Sequence, residues 1–263
     1  MVKRCISMIW RNYRISILNF TEYPTSVIPL LLAWLIFDIT QFYMINIVFE
    51  EFQPFPQWDS EEVAFLYGFA LLSEGLETLF FSASSEISNL IISGRLDSLL
   101  VKPIPVIVQF LFGGINIVAI SDLFASGLIS IYSITKLKMN IQFEFIISLL
   151  IVVVFATLLR TGLFLLLNSV SFWTQKASSL RSVGYFLTNN VAKYPISILP
   201  KIFRGIFTGI VPIAFIAYFP VSVLFGKVPR VFIIISISVS LGIFSIAIIV
   251  FNLGLKKYES AGS

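Results

Sequence analysis

The sequence predicts an all-α, polytopic membrane protein with six transmembrane helices and an interfacial helix at its N-terminus. Mean hydropathy is +0.95. Of the residues, 57% are hydrophobic and only 12% charged, too few to coat a water-facing surface. Apolar runs of about twenty residues, the length that crosses a bilayer, recur along the chain between short polar stretches. Residues 1–263 are therefore read as a single transmembrane domain with no room for an additional globular unit.

Residues 1–23 are expected to lie on the membrane surface. On a helix, Ile6, Ile9, Trp10, Tyr13, Ile17 and Phe20 fall on one narrow face, with Lys3, Arg4, Arg11 and Arg14 beside it. No short apolar core with a small-residue cleavage site follows these cations, so the stretch does not read as a cleavable signal. Residues 24–48 form the first span, with Pro24 and Pro29 in its opening turns, where proline is tolerated. The connection from Glu50 to Glu62 carries five acids and no Lys or Arg, and reads as external. Its Pro54, Pro56 and Trp58 suggest a structured loop near the interface. Residues 63–81 return as the second span.

The connection 82–105 is neither apolar enough to span a bilayer nor polar enough to be a free linker. Ile87, Leu90 and Ile91, then Leu96, Leu99 and Leu100, fall at helical spacings, while Glu86, Arg95, Asp97 and Lys102 mark a wetted side. Gly94 separates two short helices, and Pro103 and Pro105 stop the second. Such an amphipathic element between two spans suits the transfer of force to a soluble partner.

The third span is expected at 106–132, and the fourth at 143–170 after a short external turn with Lys136 and Lys138. Lys176 and Arg181 then mark the cytoplasmic side. The fifth unit, 178–225, contains Pro195, Pro200, Pro212 and Pro220. It reads either as one span near 202–225 or as a polar span near 178–194 followed by a broken, re-entrant segment. The last span, 231–253, opens with 21 residues free of charge, and Lys256 and Lys257 follow it. Lys and Arg are concentrated in the stretches assigned to the cytoplasm, which places both termini there in a cell-membrane, multi-pass protein.

Ionisable groups inside spans are costly and call for partners. Here they are Asp38, Glu74, Glu77, Asp122 and Arg160. At about 1.5 Å of rise per residue, Arg160 lies roughly level with Asp38 and near Glu74, so a pair between Arg160 and Asp38 or Glu74 is expected to orient the helices. Glu77 falls close enough to the cytoplasmic interface to reach water. The aromatic residues read mostly as packing groups.

The absence of His and the single Cys5 argue against metal, haem and Cys-His nucleophile chemistry, and no metal site is expected. There is no GxxxxGK[ST] phosphate loop and no HExxH, so an enzyme reading is poor. No nucleic-acid partner is expected.

The pattern Glu86, Gly94-Arg95-Leu96-Asp97, Leu100 and Lys102-Pro103 resembles the cytoplasmic loop of type-2 ABC transporter permeases of about this length with six membrane helices. The chain end, Gly254-Leu255-Lys256-Lys257-Tyr258-Glu259-Ser260-Ala261-Gly262, is similar to the terminus of the same subfamily. So are Tyr194-Pro195, Pro212 and Tyr218-Phe219-Pro220. The resemblance runs from about Ser82 onward. It implies a permease subunit of an ATP-driven exporter, working as a homodimer or heterodimer with ATP-binding subunits on separate chains that carry ATP and Mg. In that reading 82–105 is the coupling loop. Glu86, Arg95 and Asp97 make polar contacts with the ATPase, and Leu96, Leu99 and Leu100 seat against membrane or partner. The resemblance also implies short external helices between the fifth and sixth spans. The alternatives are an ion-coupled carrier or channel using Asp38, Glu74 and Asp122, and a membrane scaffold. Lipids, peptides, drugs and polysaccharides all stay open as cargo.

Overall fold

The computed structural model describes residues 2–22, 24–52, 57–174 and 178–258. Pro54, Pro56, Lys176 and the terminal Glu259–Gly262 lie outside the described residues. Helix α1 is Val2–Glu22 and α2 is Pro24–Phe52. Helix α3, Ser60–Phe81, starts with a capping box in which the Asp59 amide donates to Glu62 Oε2 at 2.9 Å. The short helices α4 (Ile87–Ile92), α5 (Asp97–Leu100) and α6 (Val106–Leu111) follow. Next come α7 (Ile120–Lys136), α8 (Phe143–Ser169), α9 (Ser171–Thr174) and α10 (Ser178–Asn189). Irregular turns then connect α11 (Lys201–Gly205), α12 (Tyr218–Leu224) and α13 (Val231–Leu255). The described residues contain no strand.

Among the described residues, five helical segments are long and apolar enough to cross a membrane: Pro24–Val48, Ser60–Ile91, Ile117–Lys136, Phe143–Thr174 and Val231–Leu255. A sixth candidate is the pair Lys201–Ile210 and Ile213–Leu224, bent by 72°. Helices α3 and α8 form the centre. Every residue of α3 from Val63 to Leu71 is buried, as is most of α8 from Val152 to Ser169. Helices α2 and α13 lie outside them, with Ile36 64% and Ile234 64% exposed, as lipid-facing residues would be. Gly162 lets α8 approach α13 closely, because a Cβ there would lie 3.0 Å from the Phe244 Cα.

Contacts between connections assign the two ends of the bundle. At the proximal end, Asn12 Nδ2 donates to the Phe112 carbonyl at 3.4 Å, Ser88 and Ser171 share a hydrogen bond of 2.5 Å, and the Phe172 and Tyr258 rings meet at 6.4 Å. At the distal end, Ser133 donates to the Glu61 carbonyl, Phe65 meets Phe145 at 6.2 Å, and Lys227 pairs with Glu62 at 2.7 Å. Both ends of the described chain therefore lie at the proximal end, and α1 packs there with Ile6 61% and Trp10 73% exposed.

One segment differs from the span read in the sequence, and another bears on the two readings of the fifth unit. The run 106–132 is not one helix. It divides after α6, where Phe112–Asn116 turns through Gly113 and Gly114 and the Asn116 amide donates to the Leu79 carbonyl at 3.0 Å. The crossing itself is Ile117–Lys136, while α6 stays at the proximal end against Phe251. The run 202–225 is likewise not a straight span. Helix α10 re-enters along α8, and the chain then passes Leu159 and Leu163 at Ala192 and again at Ile213 and Ile216. From there Tyr218 of α12 meets Trp58, and Phe225 just beyond the helix meets Trp58 and Phe65, at the distal end. Pro195, Pro200 and Pro212 lack the amide that a continuous helix needs, which is why the crossing is assembled from pieces.

Candidate functional site

The connection from α3 to α7 is anchored inside and exposed at its tip. Gly94, at φ 65, ends α4 in the left-handed region, and the Leu96 amide closes the turn onto the Leu90 carbonyl at 3.3 Å. Ile87 and Leu96 are each 1% exposed, in a cluster with Phe110, Phe172 and Phe251. Gln109 Nε2 holds the far limb by donating to the carbonyls of Leu99 at 2.9 Å and Ile104 at 2.7 Å. Arg95, Leu100, Val101, Lys102 and Pro103 are exposed, Val101 at 83%. Asp97 is half-buried, and Glu86, also half-buried, accepts from Asn89 at 2.5 Å. Leu96, expected to seat against membrane or partner, instead belongs to the chain's own core. The turn at Gly94 folds it back onto Ile87 and Ile91.

Within the membrane, Arg160 is fully buried and joins three helices. Its Nη1 donates to Asn189 Oδ1 at 2.6 Å and lies 3.7 Å from Glu74 Oε2; its Nη2 donates to the Ala70 carbonyl at 3.2 Å. Glu74 also takes Lys193 at 3.0 Å, and the Lys193 ammonium sits 5.3 Å from the centre of the Tyr67 ring. The structure thus places Glu74 with Arg160 and leaves Asp38 beyond ion-pair distance of both Arg160 and Lys193. Lys193 and Asn189 were not singled out as site residues in the sequence. The signal for Lys193 was a lone cation in the otherwise uncharged run from Leu187 to Leu199. Glu77 is 5% exposed and accepts from Ser84 at 2.8 Å.

Two cavities adjoin these groups. A vestibule of about 760 Å³ at the proximal end is bordered by Glu77, Glu86, Arg95 and Gln109, with Ser16 and Phe20 of α1. Deeper in, a chamber of about 280 Å³ is lined by Trp34, Asp38, Tyr67, Glu74, Asp122 and Lys193, among others. Thr78, Asn116, Val118 and Tyr185 border both, so the two spaces adjoin. The bundle thus has a charged interior and an exposed connection at one end.

The family described as ABC-2 family transporter protein matches residues 35–262. The chain belongs to that family. This permease is therefore a multi-pass membrane subunit of an ABC transporter, and the family implies an ATP-binding partner subunit. The match begins at residue 35, well before Ser82, so it takes in the later part of α2 and all of α3, with Asp38 and Glu74. Comparison with curated proteins and with solved structures found no match.

Proposed function

We propose that the permease is the membrane subunit of an ATP-driven exporter of the cell membrane, coupled to a separate ATPase through residues 82–105. It works as a dimer, with a second copy or a similar permease, and ATP and Mg act on the partner ATPase. The observation that carries this reading is the construction of the connection. Buried Ile87 and Leu96 fix it to the core, while Arg95, Val101, Lys102 and Pro103 are exposed at its tip. A push on the exposed tip is passed to α8 and α13, because the anchoring residues are packed against Leu165 and Phe251 and cannot move independently of them. The excess of cations at the proximal end supports a cytoplasmic position for that end and for both termini. ATP-driven closure of the ATPase pair then rocks the helices and alternates access.

The test is gentle purification from native membranes, followed by mass spectrometry of the chains that accompany the permease. A P-loop ATPase should accompany the native chain and be lost when Glu86, Arg95 and Asp97 are changed to Ala. Retention by that variant would refute the choice of docking residues. Absence of any ATPase from the native sample would refute the coupling itself.

A further inference from the structure

The 280 Å³ chamber has an unbalanced charge. Three carboxylates face it from α2, α3 and α7: Asp38, Glu74 and Asp122. Lys193 lies 3.0 Å and Arg160 3.7 Å from the same one, Glu74. Among the described residues no ion pair reaches Asp38 or Asp122. Asp38 is only 3% exposed, and its Oδ2 has no hydrogen-bond partner. Asp122 lies within side-chain reach of it. With all three ionised, three carboxylates face two cations and one negative charge is left in a membrane interior, where it is costly. A proton shared by Asp38 and Asp122 would cancel it, and so would a bound cation that displaces that proton.

The surroundings say what kind of cation would balance it. Among the described residues no group of three His, Cys, Asp or Glu side chains is placed to hold a metal ion. The walls are instead aromatic, with Trp34, Tyr67, Tyr185 and Tyr194 on the lining. Carboxylate together with aromatic faces is the chemistry that holds an ammonium group. The chain supplies its own example, since the Lys193 ammonium rests between Glu74 and the Tyr67 ring. A chamber of this volume admits a small amine, and the adjoining vestibule offers a route from the proximal end.

We propose that the chamber binds an organic ammonium ion, an aromatic or alkyl amine in its protonated form, with Asp38 as its counter-ion and the aromatic walls against its apolar part. Calling this ion the transported substrate rests on the exporter reading; binding itself does not. Lys193 sets the affinity by competing for the same field.

The test is calorimetric titration of the full chain in lipid nanodiscs, without nucleotide or ATPase, with empty nanodiscs as the control for partitioning. The probes are 2-phenylethylamine and the uncharged 2-phenylethanol at neutral pH. The amine should bind at least about tenfold more tightly than the alcohol, and Asp38→Asn should remove about that factor. Lys193→Gln should tighten amine binding, a gain that a merely structural role would not produce. Equal binding of amine and alcohol, no more amine uptake than by empty nanodiscs, full affinity in Asp38→Asn, or weaker binding in Lys193→Gln would each overturn the proposal. Should Asp38→Asn fail to fold, the probe pair and Lys193→Gln still decide. None of these results bears on whether an ATPase docks at 82–105, so the two readings fail separately.

Discussion

Replacing Arg160 with Leu should be among the most damaging single changes in this permease. The guanidinium is fully buried and has no water to fall back on. The change removes the donors to Asn189 at 2.6 Å and to the Ala70 carbonyl at 3.2 Å, together with the contact to Glu74 at 3.7 Å. Removing one member of a buried pair costs about 3–5 kcal/mol, because the other is left uncompensated. Glu74 keeps Lys193 at 3.0 Å, which puts the loss near the lower end, about 3 kcal/mol. At about 2–4 °C per kcal/mol for a chain of this order of size, the melting temperature should fall by roughly 6–12 °C. Phe164→Leu on the same helix is the control. That side chain is equally buried, yet a change from one apolar residue to another should cost only about 1 kcal/mol. Thermal denaturation in detergent, followed by the monodisperse fraction on size-exclusion chromatography, reads both variants. Combining Arg160→Leu with Glu74→Gln should cost less than the sum of the single changes, by about 1 kcal/mol or more, because the two side chains share one network. Equal melting temperatures for Arg160→Leu and Phe164→Leu would refute the reasoning, as would strict additivity with Glu74→Gln.

Five further variants have expected outcomes. Gly162→Ala should destabilise by about 1–3 kcal/mol, because its Cβ would meet the backbone of Phe244 and force α8 from α13. Gly242→Ala, with nothing within 4 Å of its Cβ, should be neutral or stabilising on the same melting assay. Lys227→Met removes the donor to the Gln57 carbonyl at 2.5 Å and to Glu62 at 2.7 Å. The site is partly exposed, so the loss should be only about 1 kcal/mol and should shrink as salt is raised. Leu96→Ala should lower stability by about 2–5 kcal/mol. Val101→Asp, at a residue 83% exposed, should leave the melting temperature unchanged while reducing the ATPase recovered with the permease.

Much of the architecture was legible in the sequence because hydropathy is a local property. A run such as Val231–Phe251 has one stable solution in a bilayer, a helix that satisfies its own backbone. The amphipathic α1, the turn at Gly94 and the stop at Pro103 and Pro105 also follow from neighbouring residues alone. The depth estimate narrowed Arg160 to two acids, since rise per residue is constant in a helix. It did not choose between them, because the choice depends on how α2 and α3 are rotated about their axes.

The sequence by itself determined that this chain is a helical membrane protein, which segments are apolar enough to span, and which charges are stranded inside. Only the tertiary structure decided that 106–132 breaks at Phe112–Asn116, that Leu96 turns inward, and that Glu74 takes both Arg160 and Lys193. It alone leaves Asp38 facing a chamber. Spans are set by the transfer of each segment from water to lipid, a sum over adjacent residues. Partners are set by the packing and rotation of helices far apart in the chain, and those two quantities exist only once the bundle has formed.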